Sequence, residues 1–272
     1  MLAGELKVDH VTVAGRDLRA MQQALSAIGL PTENGGPHSN HATEMALLSF
    51  PDGSYLELIA IQPQADPKAV AAHAWRKFLE GDAGPCAWAV RPADIAAEVQ
   101  RLHAGQPIRS GRRRPDGVQL EWETAQVGPG NGTFFPFLIH DFTPRDHRAF
   151  PSGKPTTNVF TGVVKVVIAV RDLGIASAQY RQAYGLPVPQ LQDDAAFGAR
   201  LAWFPGTPVM LAAPLGSESW LRARLQQFGE APCAFVLGVK TFASTMAPSK
   251  WFGTRIYWES PSLGWHLGFE PK

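Results

Sequence analysis

Apolar and polar positions alternate with a period of two over residues 6–13 (LKVDHVTV), which predicts a strand. The period then lengthens. Behind Arg16-Asp17-Leu18, the apolar residues Met21, Leu25 and Ile28 recur at helical spacing, with Asp17 placed as an N-cap. Gly29-Leu30-Pro31 closes that helix, because glycine suits the position just past the end and proline cannot continue it. Strands follow through residues 46–50 and 54–60, joined at Pro51-Asp52-Gly53, whose Asp-Gly step favours a tight turn. The unit reads βαβββ.

The same order recurs along the chain. KVDHVTVAGRDL (7–18) is matched by VVKVVIAVRDL (163–173), with the Arg-Asp-Leu helix start in register. Ile28-Gly29-Leu30-Pro31 is matched by Tyr184-Gly185-Leu186-Pro187, and Phe50-Pro51 by Phe204-Pro205. Pro85-Cys86-Ala87-Trp88-Ala89-Val90 is matched by Pro232-Cys233-Ala234-Phe235-Val236-Leu237. Four βαβββ units are therefore expected, beginning near Leu6, Pro85, Asn158 and Pro232. The expected fold class is α+β, with the modules paired into two domains. These are residues 1–142 (modules 6–60 and 85–142) and 158–272 (modules 158–214 and 232–272). Residues 143–157 are rich in proline, polar and charged side chains and read as the linker.

Composition adds mainly exclusions. The chain of 272 residues is 45% hydrophobic and 18% charged, enough to bury a core. A formal net charge of +1 gives no bulk electrostatic reason to expect nucleic acid or an anionic membrane. No apolar stretch approaches the ~18–20 residues needed to span a bilayer. The opening MLAGELKVDH lacks a basic-then-apolar signal pattern, so a soluble cytoplasmic protein is expected. Cys86 and Cys233 each follow a proline in an apolar run, which predicts two separate buried thiols.

Several side chains stand out against this background. Glu57 lies between Leu56 and Leu58 in a strand, where a carboxylate is costly to bury unless it is paired or binds a cation. Left unpaired, it would titrate high and could act as a general base. His10 interrupts an apolar strand, and His38 and His41 follow Gly35-Gly36, a pair that permits positive φ and close backbone approach to a ligand. Arg109, Arg112, Arg113 and Arg114 form a basic cluster before Asp116-Gly117. Trp122, Phe134, Phe135 and Phe137 suit either a core or the wall of an apolar pocket. There is no GxSxG elbow, phosphate loop or dinucleotide fingerprint.

The duplicated βαβββ unit, with histidine in its first strand and glutamate in its last, resembles the vicinal oxygen chelate superfamily. Within it, the first half is similar to the glyoxalase-like domain family. The carrying residues are Asp9-His10, Gly35-Gly36-Pro37-His38, Gly53-Ser54-Tyr55-Leu56-Glu57-Leu58-Ile59, Arg114-Pro115-Asp116-Gly117 with Leu120 and Trp122, and Phe135-Pro136-Phe137-Leu138-Ile139. The detailed likeness runs from His10 to His140. It implies that two modules form a cup around a small ligand, with His10 and Glu57 inside as metal ligands, His38 at the mouth and Arg114 facing in. His38, His41 or His140 would complete the ligand set. The second module departs from the metal-binding pattern, since its strands offer Ala87, Trp88 and Ala89, then Phe135, Pro136 and Phe137.

The second half reads as a worn copy. Lys165 replaces the strand histidine, Leu211 or its neighbour replaces the glutamate, and WHLGFE offers no carboxylate in register. His266 reads as structural, and Trp203, Met210, Trp220, Trp251, Trp258 and Trp265 suggest an apolar interior.

The resemblance implies an enzyme acting on a small oxygenated or carbonyl-bearing metabolite. A divalent metal (Zn, Fe, Mn or Mg) on His10, Glu57 and His140 would polarise vicinal oxygens, with Glu57 and His38 moving the proton and Arg114, Trp122 and His41 contacting the substrate. Lyase, isomerase and dioxygenase chemistry stay open, as do metal-free acid–base catalysis by Glu57 with His38 and a metal-free binding protein. The expected partner is a small molecule. Paired modules can also exchange between chains, which leaves a homodimer open.

Overall fold

The computed structural model describes residues 6–114, 116–240, 247–259 and 264–272; Pro115 of the Arg-Pro-Asp-Gly motif lies outside them. The first module comprises β1 (Val8–Ala14), α1 (Leu18–Ala27), β2 (Glu33–Pro37), β3 (Thr43–Ser49) and β4 (Tyr55–Ile61). Two short helices follow, α2 (Pro67–Ala72) and α3 (Arg76–Glu80). The second module comprises β5 (Gly84–Val90), α4 (Ile95–Leu102), β6 (Ile108–Arg113), β7 (Gln119–Ala125) and β8 (Phe137–Asp141), and α5 (Arg145–Ala149) comes after it. The third comprises β9 (Phe160–Ala169), α6 (Leu173–Tyr184), β10 (Gln190–Asp194), β11 (Ala199–Trp203) and β12 (Val209–Pro214). Helix α7 (Trp220–Phe228) leads into β13 (Ala231–Val239), β14 (Ser249–Trp251), β15 (Thr254–Trp258) and β16 (His266–Pro271). In this last unit residues 241–246, which follow β13, lie outside the described residues.

The expected module starts lie within two residues of the observed first strands. Local chemistry explains why. Asp17, Asp94 and Asp172 each cap a helix, accepting from the backbone N–H three residues on. Gly29 (φ +80°) and Gly185 (φ +65°) take the left-handed backbone that ends α1 and α6.

Each half forms one eight-stranded sheet, ordered β2-β3-β4-β1-β5-β8-β7-β6 and β10-β11-β12-β9-β13-β16-β15-β14. Modules join edge to edge, through antiparallel β1·β5 and β9·β13. Both sheets curl until their edges meet. Arg112 Nη1 on β6 donates to Gly35 O on β2 at 2.9 Å, and Gln192 Nε2 on β10 donates to Lys250 O on β14 at 2.6 Å. The result is two cups, and helices α1, α4 and α6 pack against the sheets with the largest core cluster, which draws on both halves. No described helix is long and apolar enough to cross a membrane.

The stretch 143–157, expected as a linker, is pinned to the first sheet. It carries α5, Ala149 is buried, and Ser152 Oγ and Thr156 Oγ1 bond Glu33 and Ser49 at 2.7 and 2.8 Å. The halves also meet at β5 and β13. There Phe78 stacks on Phe228 (5.4 Å, 14°), and the Arg224 guanidinium donates to the carbonyls of Ala83, Pro85 and Pro232. Cys86 and Cys233 beside it are free buried thiols; burial pushes both up, Cys233 to about 12.

Arg224→Met removes all three charge-assisted bonds and strands three carbonyls at the seam. It is expected to lower stability by about 2–4 kcal/mol, read from urea unfolding followed by tryptophan fluorescence.

Candidate active site

The first cup encloses a cavity of ≈ 430 Å³. Strand alternation decides what faces it. β1 presents His10, β4 presents Tyr55 and Glu57, and β3 presents Thr43, Met45 and Leu47. β6 and β7 add Ser110, Arg112, Trp122 and Thr124, and β8 adds Phe137 and Ile139. His38 to Asn40 and His73 to Trp75 complete the rim, where Trp75 Nε1 is fixed by Asn131 O at 3.0 Å.

Glu57 is the centre of this arrangement. Its Oε1 lies 3.4 Å from His38 Nε2, and its Oε2 lies 3.8 Å from His10 Nε2 and 3.4 Å from Thr12 Oγ1. Burial alone would raise its pKa. The bond to His38, the charges of His10 and His38 and the Arg112 guanidinium outweigh that and hold it at about 2. The carboxylate is therefore ionised across the working range. The far nitrogen of His38 meets Thr43 Oγ1 at 2.7 Å, so that ring is held at both ends.

His10 is fixed from behind. Its Nδ1 meets Asp9 Oδ1 at 2.7 Å, and its ring stacks on Tyr55 at 4.8 Å with Phe137 edge-on at 5.4 Å. A donor nitrogen committed to Asp9 leaves Nε2 as the one that addresses the cavity. Asp9 is wholly buried. Burial opposes its charge, but Arg148, His10 and Arg145 hold its pKa well below the usual range. Arg148 grips Asp9 with two nitrogens (3.1 and 3.0 Å), grips Asp141 with two more contacts, and donates to the Tyr55 hydroxyl.

The expected site residues divide accordingly. His10, His38, Glu57 and Trp122 come together in the cavity. His41 does not: at φ +58° it turns outward and is exposed. Arg114 shares a face with Arg112 but lies past the end of β6. Its guanidinium reaches out of the cup to Asp116 and to the carbonyls of His147 and Pro151. His140 sits on the other face of β8 from Phe137. It lines a separate depression with Lys7, Arg91 and Arg145, so it is not brought to His10 and Glu57. Arg112, buried and facing the cavity, takes the place expected of Arg114. His73, Trp75 and Arg148 were not anticipated, and Asp9 was noted beside His10 without a role; the first two lie in the join between modules and Arg148 in the presumed linker.

The donor set of the cup is too small for a divalent metal. Glu57 lies opposite Thr12 on the neighbouring strand, and the matching position opposite Ala89 is Phe137. The second module thus supplies alanines and a phenylalanine where a second pair of ligands would stand. Among the described residues no three His, Cys, Asp or Glu side chains are grouped to hold a metal ion. Catalytic sites keep about three protein ligands. The residues present do not fit a resident metal on His10, Glu57 and His140.

In the second cup Gly268 holds the register position that matches Phe137, as expected of a strand with no carboxylate there. Glu270, two residues beyond it, forms an ion pair with Lys165, the counterpart of His10. Met210, opposite Val167, stands at the counterpart of Glu57. Phe197 fills the interior against Trp251 (5.0 Å) and Trp258 (4.7 Å). His266 stacks on Trp220 at 4.1 Å, and burial lowers it to about 4.

Two stability measurements check this electrostatic picture. Arg148→Met leaves Asp9 buried without its main partner and is expected to cost about 3–5 kcal/mol in urea unfolding. Glu57 is held below its ordinary 4.5, so the stability it contributes is present above 4.5 and is lost as pH falls towards about 2. The parent should therefore lose on the order of 3 kcal/mol more than Glu57→Gln over that window.

Comparison with known proteins agrees with the fold. Residues 8–184 match the family model described as a glyoxalase-like domain. A hypothetical protein from Staphylococcus aureus superposes with TM-score 0.69 at 13% identity, covering 98% of this chain and 100% of that one. Methylmalonyl-CoA epimerase from Mycobacterium tuberculosis aligns at 22% identity and TM-score 0.38, over 44% of this chain and 93% of that one. A Streptomyces coelicolor methylmalonyl-CoA epimerase variant aligns at 19% identity and TM-score 0.35, over 40% and 96%. A search of curated proteins finds no match. The family match spans more than half of the chain and passes through α6 into the second half: the protein belongs to the glyoxalase-like domain family.

Proposed function

We propose that the first cup catalyses proton transfer on a small carbonyl-bearing metabolite, without a resident metal. The observation that supports it is the ionised Glu57 carboxylate held between two imidazoles inside a partly enclosed cavity. Glu57 takes the proton from the carbon beside the carbonyl. The C–H electron pair becomes the enolate C=C bond as the carbonyl π pair moves onto oxygen, and His10, held at Nδ1 by Asp9, meets the developing enolate oxygen through Nε2. His38, partly exposed and 3.4 Å from Glu57, passes the proton onward or returns it to the other face or to a neighbouring atom. Isomerisation and elimination both follow from this one step. Trp122, Trp75 and Phe137 exclude water from the reacting face.

The test is deuterium wash-in from D₂O, followed by NMR across a panel of small aldehydes, ketones and oxo acids. The parent should speed exchange at the carbon next to the carbonyl for at least one compound. Glu57→Gln should lower that rate by a factor of about 10²–10⁴ with the fold retained by circular dichroism. Saturable binding with no exchange in the parent would leave a binding cup instead. Tag-free protein incubated with Zn²⁺, Mn²⁺ or Fe²⁺ is expected to retain well under one equivalent. A stoichiometric metal lost in both His10→Ala and Glu57→Ala would replace this reading with a metal-centred one.

A further inference from the structure

Of the four arginines clustered on and just after β6, one differs from the rest. Arg109 pairs with Glu121 at the surface, Arg114 is half-buried but paired with Asp116, and Arg113 is exposed. Arg112 is buried, lines the cavity and makes no ion pair with a described carboxylate. One nitrogen, Nη1, is spent on Gly35 O at the closure of the cup. The rest of its planar fork finds no described protein partner. A guanidinium is strongly suited to two parallel bonds with a carboxylate, and an unpaired one inside a cavity is costly.

The charge balance of the cavity points the same way. Arg148 also borders it, but Asp9 and Asp141 already neutralise that charge. What remains facing the interior is one carboxylate, Glu57, with the His10 and His38 rings against it, the Arg112 guanidinium, and His73, whose pKa burial lowers. Glu57 has its own partners, which leaves the free side of the Arg112 fork to meet a further negative charge. The walls fix the shape of what carries it: Trp75, Trp122 and Phe137 offer flat apolar faces, and Tyr55 already stacks flat on His10.

We propose that Arg112 anchors a carboxylate on the ligand of the first cup, and that this ligand is a small planar carboxylic acid, aromatic or conjugated. Its acid group lies at Arg112, its plane lies between the aromatic walls, and its reactive carbonyl end lies towards Glu57 and His10. The ligand class rests on the proton-transfer reading only for that last placement; the anion site itself does not need Glu57 as a base.

The test uses defined probes: phenylpyruvate, which carries an exchangeable C–H beside its carbonyl, and benzoate, against their neutral amides, titrated by calorimetry and by quenching of tryptophan fluorescence. The parent should bind the carboxylates at least about tenfold more tightly than the amides, the size of one charge-assisted contact. Arg112→Gln keeps a donor for Gly35 O and should erase the preference; Arg112→Lys should keep part of it. Circular dichroism and thermal melts establish that both variants fold. Equal binding of acid and amide by the parent, a preference that survives in Arg112→Gln, or no saturable binding of any probe would overturn the proposal. Glu57→Gln separates the two readings. If it loses deuterium exchange but still prefers carboxylates, both stand. If the parent prefers carboxylates yet exchanges nothing, the reaction falls and the anion site stands. If the parent exchanges neutral carbonyl compounds and ignores carboxylates, the anion site falls alone.

Discussion

A carboxylate with no exposed surface, Asp9, is the constraint on which the first cup depends. It can be ionised there only if cations are buried with it. Arg148 meets that need while also gripping Asp141 at the end of β8 and the Tyr55 hydroxyl at the start of β4. One guanidinium thereby ties three strands that are not consecutive in the chain, and Arg145 adds a second cation to Asp9. The same knot sets the chemistry, because Asp9 fixes which nitrogen of His10 faces the cavity. Both arginines come from α5, beyond the last strand of the first sheet. The site is therefore complete only once the chain has left the cup and turned back across it.

The two halves share a topology and differ in what fills the cups. In the second, Lys165 and Glu270 satisfy each other, and Phe197 with its tryptophan neighbours occupies the space that the first half leaves open. Among the described residues of this cup the central charges satisfy each other and aromatic rings pack beside them. The second half also braces the first. β5 and β13 back onto each other, Arg224 laces the seam, and Gly84 must lack a side chain because a Cβ would lie 2.4 Å from the Trp265 ring.

The fold was legible because its signals are local and repeated. The Asp17 cap and its repeat at Asp172, two glycine stops and the Asp52-Gly53 turn each specify their element from a few residues, and the duplication checks them against one another. The site was half legible. His10, Glu57 and His38 could be placed because strand parity and a glycine turn fix where they point. Arg114 and Arg112 share a parity, so only depth along β6 separates them, about 6–7 Å, and no periodicity encodes depth. The partnership of Asp9 with Arg148 spans most of the first half of the chain. A basic run between prolines looks solvated until the buried charge it serves is seen. The pairing of Glu270 was missed for a related reason, since its partner is a lysine that no sequence pattern joins to it.

One tension in the site resolves through its own electrostatics. A carboxylate held at about 2 is a weak base, and proton abstraction is most efficient when the base titrates near the working pH. The groups that hold Glu57 down are His38, His10 and Arg112. A bound carboxylate neutralises Arg112, brings its own negative charge near Glu57 and displaces water from the cavity. Each of these effects disfavours the ionised form, so each makes Glu57 a stronger base. Part of the stabilisation that holds Glu57 ionised, the share from Arg112, is thus withdrawn when the ligand enters. Binding at the Arg112 end is converted into basicity at the Glu57 end, which is how interactions remote from the reacting atoms come to lower a barrier.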